Sequence, residues 1–178
     1  MLLALLTSQR IQTLKHIKWR NVVFNEAGCD IYIDSLLKTS KPGTHQSPLK
    51  LKTFSVRELC VVAHLKQYIS FTKDLRGSVE QLLFKPHNAV SPDTIARWIK
   101  SVMQSSGIDT QVFGAHSTRS ASTSKLHSLK VPMNTILAAG GWTNAKTFAT
   151  FYKKKTFAEP NESQLLTNYT CSTSVNSH

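Results

Sequence analysis

The sequence predicts an α+β fold, mainly α-helical, with one small three-stranded antiparallel sheet. Three observations carry that expectation. Apolar residues recur at helical spacing in several stretches, as at Val62, Leu65 and Ile69. Only between Trp19 and Lys52 does the pattern change to alternation punctuated by turn residues. The length, 178 residues with 40% hydrophobic content, suits about one domain with a real core.

The elements follow in order. Residues 1–8 are apolar on nearly every face, which predicts a buried helix. That run lacks the basic start and the length of a signal peptide. Nothing in the chain approaches the roughly 20 apolar residues of a membrane span. Ile11, Leu14 and Ile17 give a second short helix. Trp19 to Phe24, rich in aromatic and β-branched residues, reads as a strand, and Asn25 to Gly28 as a turn. Cys29 to Leu37 alternates and gives the middle strand, with Lys38 at its end. Lys38 to Gln46 contains Pro42-Gly43 and reads as a loop, and Ser47 to Lys52 as the third strand.

Val56 to Leu75 repeats apolar residues at Leu59, Val62, Leu65 and Ile69 and predicts a long helix. Gly77 to Val90 reads as loop around a short apolar piece, Leu82 to Phe84. Ser91 is a good N-cap and Pro92 a good first residue for a helix running to about Ser105. His116 to Leu129, Pro132 to Ala139 and Thr143 to about Lys154 complete the helices. Residues 156–178 are polar, contain Pro160 and read as a disordered tail.

The net charge is +12, from 22 Lys and Arg against 10 Asp and Glu. That is the footprint of a nucleic-acid binder, although many basic proteins bind none. The distribution says more than the total. No acidic residue lies between Asp109 and Glu159, a stretch that holds Arg119, Lys125, Lys130, Lys146, Lys153, Lys154 and Lys155. Such a stretch suits an anionic substrate and not a metal. Cys29, Cys60 and Cys171 show neither metal-ligand spacing nor a disulfide framework, which points to a reducing, intracellular compartment.

Cutting a phosphodiester without a metal needs a nucleophile, donors for the charge that builds on phosphorus, and an acid for the leaving oxygen. The chain offers Tyr152 as nucleophile, Arg10 and Arg119 as planar donor forks, His116 and Trp142 as further donors, and Lys38 as acid. Each has a plainer reading: a surface arginine for Arg10, a core ring for Trp142 or Tyr152. Lys41 flanks the same hairpin as Lys38; Lys38 is preferred because it ends a strand, and the choice stays open. Tyr32 and Tyr68 fall in periodic apolar elements, and Tyr169 in the tail. Lys41, Lys125, Lys146, Lys153 and Lys154 are candidate DNA contacts.

The ordered set Arg10, Lys38, His116-x-x-Arg119, Trp142, Tyr152 resembles the catalytic set of the tyrosine recombinases, the phage-integrase family. The runs from His116 to Lys125 and from Gly140 to Tyr152 look most like recombinases of eukaryotic DIRS-like and crypton-like mobile elements. The resemblance covers roughly residues 1–155. It implies the fold of the DNA breaking-rejoining catalytic core, and a 3′-phosphotyrosyl intermediate on Tyr152. It implies double-stranded DNA as partner, a homo-multimer on that DNA, and no cofactor, metal or small-molecule substrate. It implies a nuclear location if the host is eukaryotic. Thr13 stands where the family often has an acidic buttress. Family members also carry a preceding helical domain, so 1–155 is expected to be the N-terminally truncated catalytic domain of a larger recombinase.

Overall fold

The computed structural model describes residues 1–35, 47–142 and 145–151. Two short helices open it, α1 (Leu2–Thr7) and α2 (Ile11–His16). Strands β1 (Val22–Asn25), β2 (Gly28–Ile31) and β3 (Leu49–Lys52) form an antiparallel sheet with β2 in the middle. Helix α3 (Val61–Thr72) leads to a two-stranded hairpin, β4 (Phe84–Lys85) and β5 (Asn88–Ala89). Helices α4 (Pro92–Ser105), α5 (Ser117–Ser128), α6 (Met133–Gly140) and α7 (Ala145–Phe151) follow. The helix-rich fold with a three-stranded antiparallel sheet is the predicted one.

The main core joins the sheet to the helices through Leu14, Ile17, Ile31, Val62 and Leu82, each 2% exposed or less. Burying a side chain of this size stabilises the fold by about 1.5–3 kcal/mol. Gly28 opens β2 because a Cβ there would lie 1.9 Å from the Leu51 carbonyl oxygen. Ser91 caps α4 as expected, its Oγ accepting from the Thr94 N–H at 3.2 Å. Ile95, Ile99 and Met103 form that helix's buried face. A second, smaller cluster consists of Ile136, Trp142 and Phe148.

Several expectations need correction. Trp19–Asn21 is a 3-10 turn and not the start of β1, because the Trp19 N–H is drawn away to the Glu80 carbonyl at 3.0 Å. The middle strand stops at Ile31, not Leu37. Its partner β3 begins only at Leu49, preceded by Pro48, which has no N–H to continue the ladder. Helix α3 starts at Val61, since Cys60 is extended and ends a separate 3-10 turn, Arg57–Leu59; Leu59, counted as core, is 54% exposed. The loop after Gly77 contains the β4–β5 hairpin, too short to show alternation. Helix α1 is only partly buried, with Leu6 exposed. The loop at Lys38 to Gln46 and the tail lie outside the described residues.

Candidate active site

Helix α1 ends at Ser8, which takes the left-handed conformation (φ 52°, ψ 22°). This residue reverses the chain so that Arg10 becomes the N-cap of α2. Ser8 is 2% exposed, and its carbonyl accepts from Arg119 Nη1 at 2.7 Å. Arg119 stands near the start of α5, which His116 precedes as N-cap. The α5 entry is tightened by Thr118 Oγ1 donating to the Ala115 carbonyl at 2.9 Å. Helices α1 and α5 pack together, so the Ser8 and Arg119 contact is part of a wider seam.

Trp142 reaches the same place from α6. Gly141 takes the left-handed conformation past the helix end (φ 62°, ψ 42°). The Gly141 N–H then donates to the Ala138 carbonyl and the Trp142 N–H to the Leu137 carbonyl, the Schellman pattern of helix termination. Gly140 must be glycine: a Cβ there would lie 1.9 Å from the Trp142 ring. The indole lies over the Arg119 guanidinium, 3.9 Å from its carbon to the ring centroid, and packs edge-on against Phe148. Such stacking holds an arginine against a ring at little loss of its donors.

His116 carries the electrostatic signature of the site. Its pKa is lowered, first by loss of solvent around the ring, then by the charges of Arg119 and Arg10. The helix N-terminus at α5 acts in the same direction. His116 is therefore neutral at pH 7 although it keeps an exposed surface. The structure thus brings Arg10, His116, Arg119 and Trp142 to one place from the α1–α2, α5 and α6–α7 segments. Arg119 is 1% exposed here, covered in part by the indole.

The other candidates fall differently. Lys125 is exposed; six residues along α5 it lies about 240° round the helix from Arg119, on another face. Lys146 is exposed on α7. Lys38, Lys41, Tyr152, Lys153 and Lys154 lie outside the described residues; α7 is described as far as Phe151, next to Tyr152 in the chain. Among the described residues no group of three His, Cys, Asp or Glu is placed to hold a metal ion. No described helix is long and apolar enough to cross a membrane. Sequence reasoning missed Ser8 and Gln9. Ser8 occupies a turn that usually signals itself with glycine, and the partner of Gln9 lies 130 residues away.

The phage integrase family model matches residues 1–159. No curated protein matches the chain. Among solved structures, the XerH site-specific recombinase in a pre-cleavage complex with its difH substrate superposes with a TM-score of 0.66 at 15% identity, over 94% of this chain and 45% of that one. A lambda integrase dimer bound to a core site gives 0.54 at 19% identity, over 89% and 52%. The Tn1549 transposon integrase in complex with transposon right end DNA gives 0.52 at 16% identity, over 96% and 57%. The chain spans about half the length of these structures. At such identities the likeness is one of fold, that of the tyrosine recombinase catalytic domain.

Proposed function

The chain belongs to the phage integrase family, and on that footing we propose that it breaks and rejoins double-stranded DNA through a covalent 3′-phosphotyrosyl link to Tyr152. The observation that carries this reading is the meeting of Arg10, His116, Arg119 and Trp142 at the seam of α1, α5 and α6. Cationic groups crowded together without a nearby acid in the sequence favour an anion between them.

In the proposed reaction the Tyr152 oxygen attacks the scissile phosphorus. A new P–O bond forms as the bond to the 5′-oxygen breaks. Neutral His116 takes the phenol proton, and Lys38 gives a proton to the leaving 5′-oxygen; Lys41 is the alternative donor. Arg10 and Arg119 hold the non-bridging oxygens, whose charge grows in the transition state. Entry of the phosphate displaces the indole from the Arg119 guanidinium, after which the Trp142 N–H donates to the phosphate. An indole can donate but cannot act as a base, so its part is positioning. Rejoining reverses these steps. Exposed Lys125 and Lys146, with Lys41, Lys153 and Lys154, would grip the backbone.

The same reading extends to a homo-multimer acting on paired sites, in integration of a mobile element of DIRS-like or crypton-like type, in a nucleus if the host is eukaryotic. The motif runs around His116 and Trp142 support that affiliation, and the DNA-bound integrase structures support the partner. The test uses a pool of nicked duplexes of random sequence, whose nick traps the covalent product. A protein–DNA adduct is expected with the chain as it stands and is expected to vanish in Tyr152→Phe. An adduct that survives the substitution overturns the assignment. DNA binding without any adduct favours the alternative, a non-catalytic DNA-binding remnant.

A further inference from the structure

Helix α6 ends with four carbonyls that its own backbone leaves unsatisfied, those of Leu137, Ala138, Ala139 and Gly140. The Schellman turn satisfies the first two, through Trp142 and Gly141. The third is taken by a residue from the opposite end of the chain: Gln9 Nε2 donates to the Ala139 carbonyl at 2.8 Å. Gln9 is 8% exposed. The same amide lies 3.4 Å from the Thr7 carbonyl, and the Gln9 N–H reaches Thr7 Oγ1 at 3.4 Å, so its starting point is held as well.

We infer that Gln9 is a positioning residue that sets Trp142 against Arg119. Three consecutive residues divide the work. Ser8 tethers Arg119 through its carbonyl. Gln9 takes the third terminal carbonyl of the helix that turns into Trp142. Arg10 begins α2 and adds its charge to the field on His116. The Gln9 bond ties the Arg10 turn directly to the end of the helix that leads into Trp142. Without it the Ala139 carbonyl loses its donor, and the Gly140-Gly141 turn below the indole loses its fixed distance from Arg10. Because Gly140 leaves no space beneath the ring, movement of that turn carries the indole with it. The role in cleavage rests on the proposed recombinase reading; the geometric role does not.

The test separates the two. Gln9→Met keeps the packing volume and removes the donor, and Gln9→Asn keeps a donor that is one methylene too short. In ¹H–¹⁵N spectra of the free chain, the Trp142 indole resonance is identified by its loss in Trp142→Phe. In both Gln9 variants that resonance should move by more than its linewidth while those of Trp19 and Trp98 stay in place. In the nicked-duplex assay, the rate of adduct formation should fall roughly tenfold at saturating DNA, with DNA affinity unchanged within twofold, as misplacement of one reacting group implies. A merely structural glutamine would shift all three indoles or none, and would lower affinity and rate together. Unmoved Trp142 resonances in both variants overturn the inference, whatever the DNA assay returns. Absence of adduct in the unsubstituted chain counts against the recombinase reading alone, and the indole measurement still decides the role of Gln9.

Discussion

Arg76 and Arg119 are 2% and 1% exposed, and both lie against aromatic rings, yet their surroundings are opposite. Arg76 sits 4.4 Å from the Phe84 ring centroid and 5.4 Å from that of Tyr68. It donates to the Gln81 and Leu82 carbonyls at 2.9 and 3.2 Å and to Thr72 Oγ1 at 2.7 Å. Its neighbours are neutral acceptors, gathered where α3 passes into the next loop. Arg119 also donates to a carbonyl and stacks on a ring, but shares its site with His116 and Arg10. Burial alone therefore does not mark a functional arginine. What sets Arg119 apart is the company of Arg10 and a titratable imidazole, which on the proposed reading suits an arriving anion.

One substitution made at both positions separates the two arginines most clearly. Arg→Lys keeps the charge and loses the planar fork. Arg119→Lys is expected to slow adduct formation by about 10²- to 10³-fold, with a less than tenfold change in DNA affinity, because its donors act on charge that develops in the transition state. Arg76→Lys is expected to cost about 2 kcal/mol in denaturant unfolding by leaving buried carbonyls short of donors. Its adduct rate per folded molecule should stay that of the unsubstituted chain. If both variants changed only stability, Arg119 would be a second Arg76 and the site would be a structural knot.

How far these surroundings could be read from sequence differs between the two regions. The neighbourhood of Arg119 was legible because His116, Arg119 and Trp142 occur within one acid-free stretch. Ser91 and Pro92 announced α4 by cap chemistry alone. The role of Arg76 was not legible, since its partners Gln81 and Leu82 lie in a segment without periodicity. The β4–β5 hairpin escaped for the same reason: two-residue strands cannot display alternation. The Gln9 contact spans 130 positions, and no local rule reports on such a bond. Ser8 was hidden because a serine in the left-handed conformation gives no glycine signal.

A smaller effect is expected at Ser8, the residue that turns the chain toward Arg119. A non-glycine residue in this conformation costs about 1–2 kcal/mol. Replacing it by glycine relieves that strain but adds freedom to the unfolded chain, worth about 0.4–1 kcal/mol against folding. Ser8→Gly should therefore raise unfolding stability by roughly 0.5 kcal/mol, and Ser8→Ala should not. A loss of stability in Ser8→Gly would mean that the serine side chain, and not only the backbone turn, holds the Arg119 tether.

The smallest expected effect tests whether His116 lies in a desolvated pocket under the field of Arg119 and Arg10. The pKa of His116 is lowered in the folded state, by desolvation first and then by Arg119 and Arg10. The unfolded chain therefore binds a proton at His116 before the folded chain does. Stability falls as pH drops through the unfolded value of about 6.5 and goes on falling until the folded pKa is passed. Above about pH 7 both states are neutral and this contribution is absent. His116→Gln removes it, so the gap in denaturation midpoint between the two proteins should move in favour of the variant on acidification from pH 7.5 to pH 5.5. On the proposed reading, the same depression keeps the imidazole able to accept the phenol proton at neutral pH. A gap independent of pH would mean that Arg10 and Arg119 do not share a field with His116. The contrast with Arg76, which has only neutral acceptors around it, would then lose its physical basis.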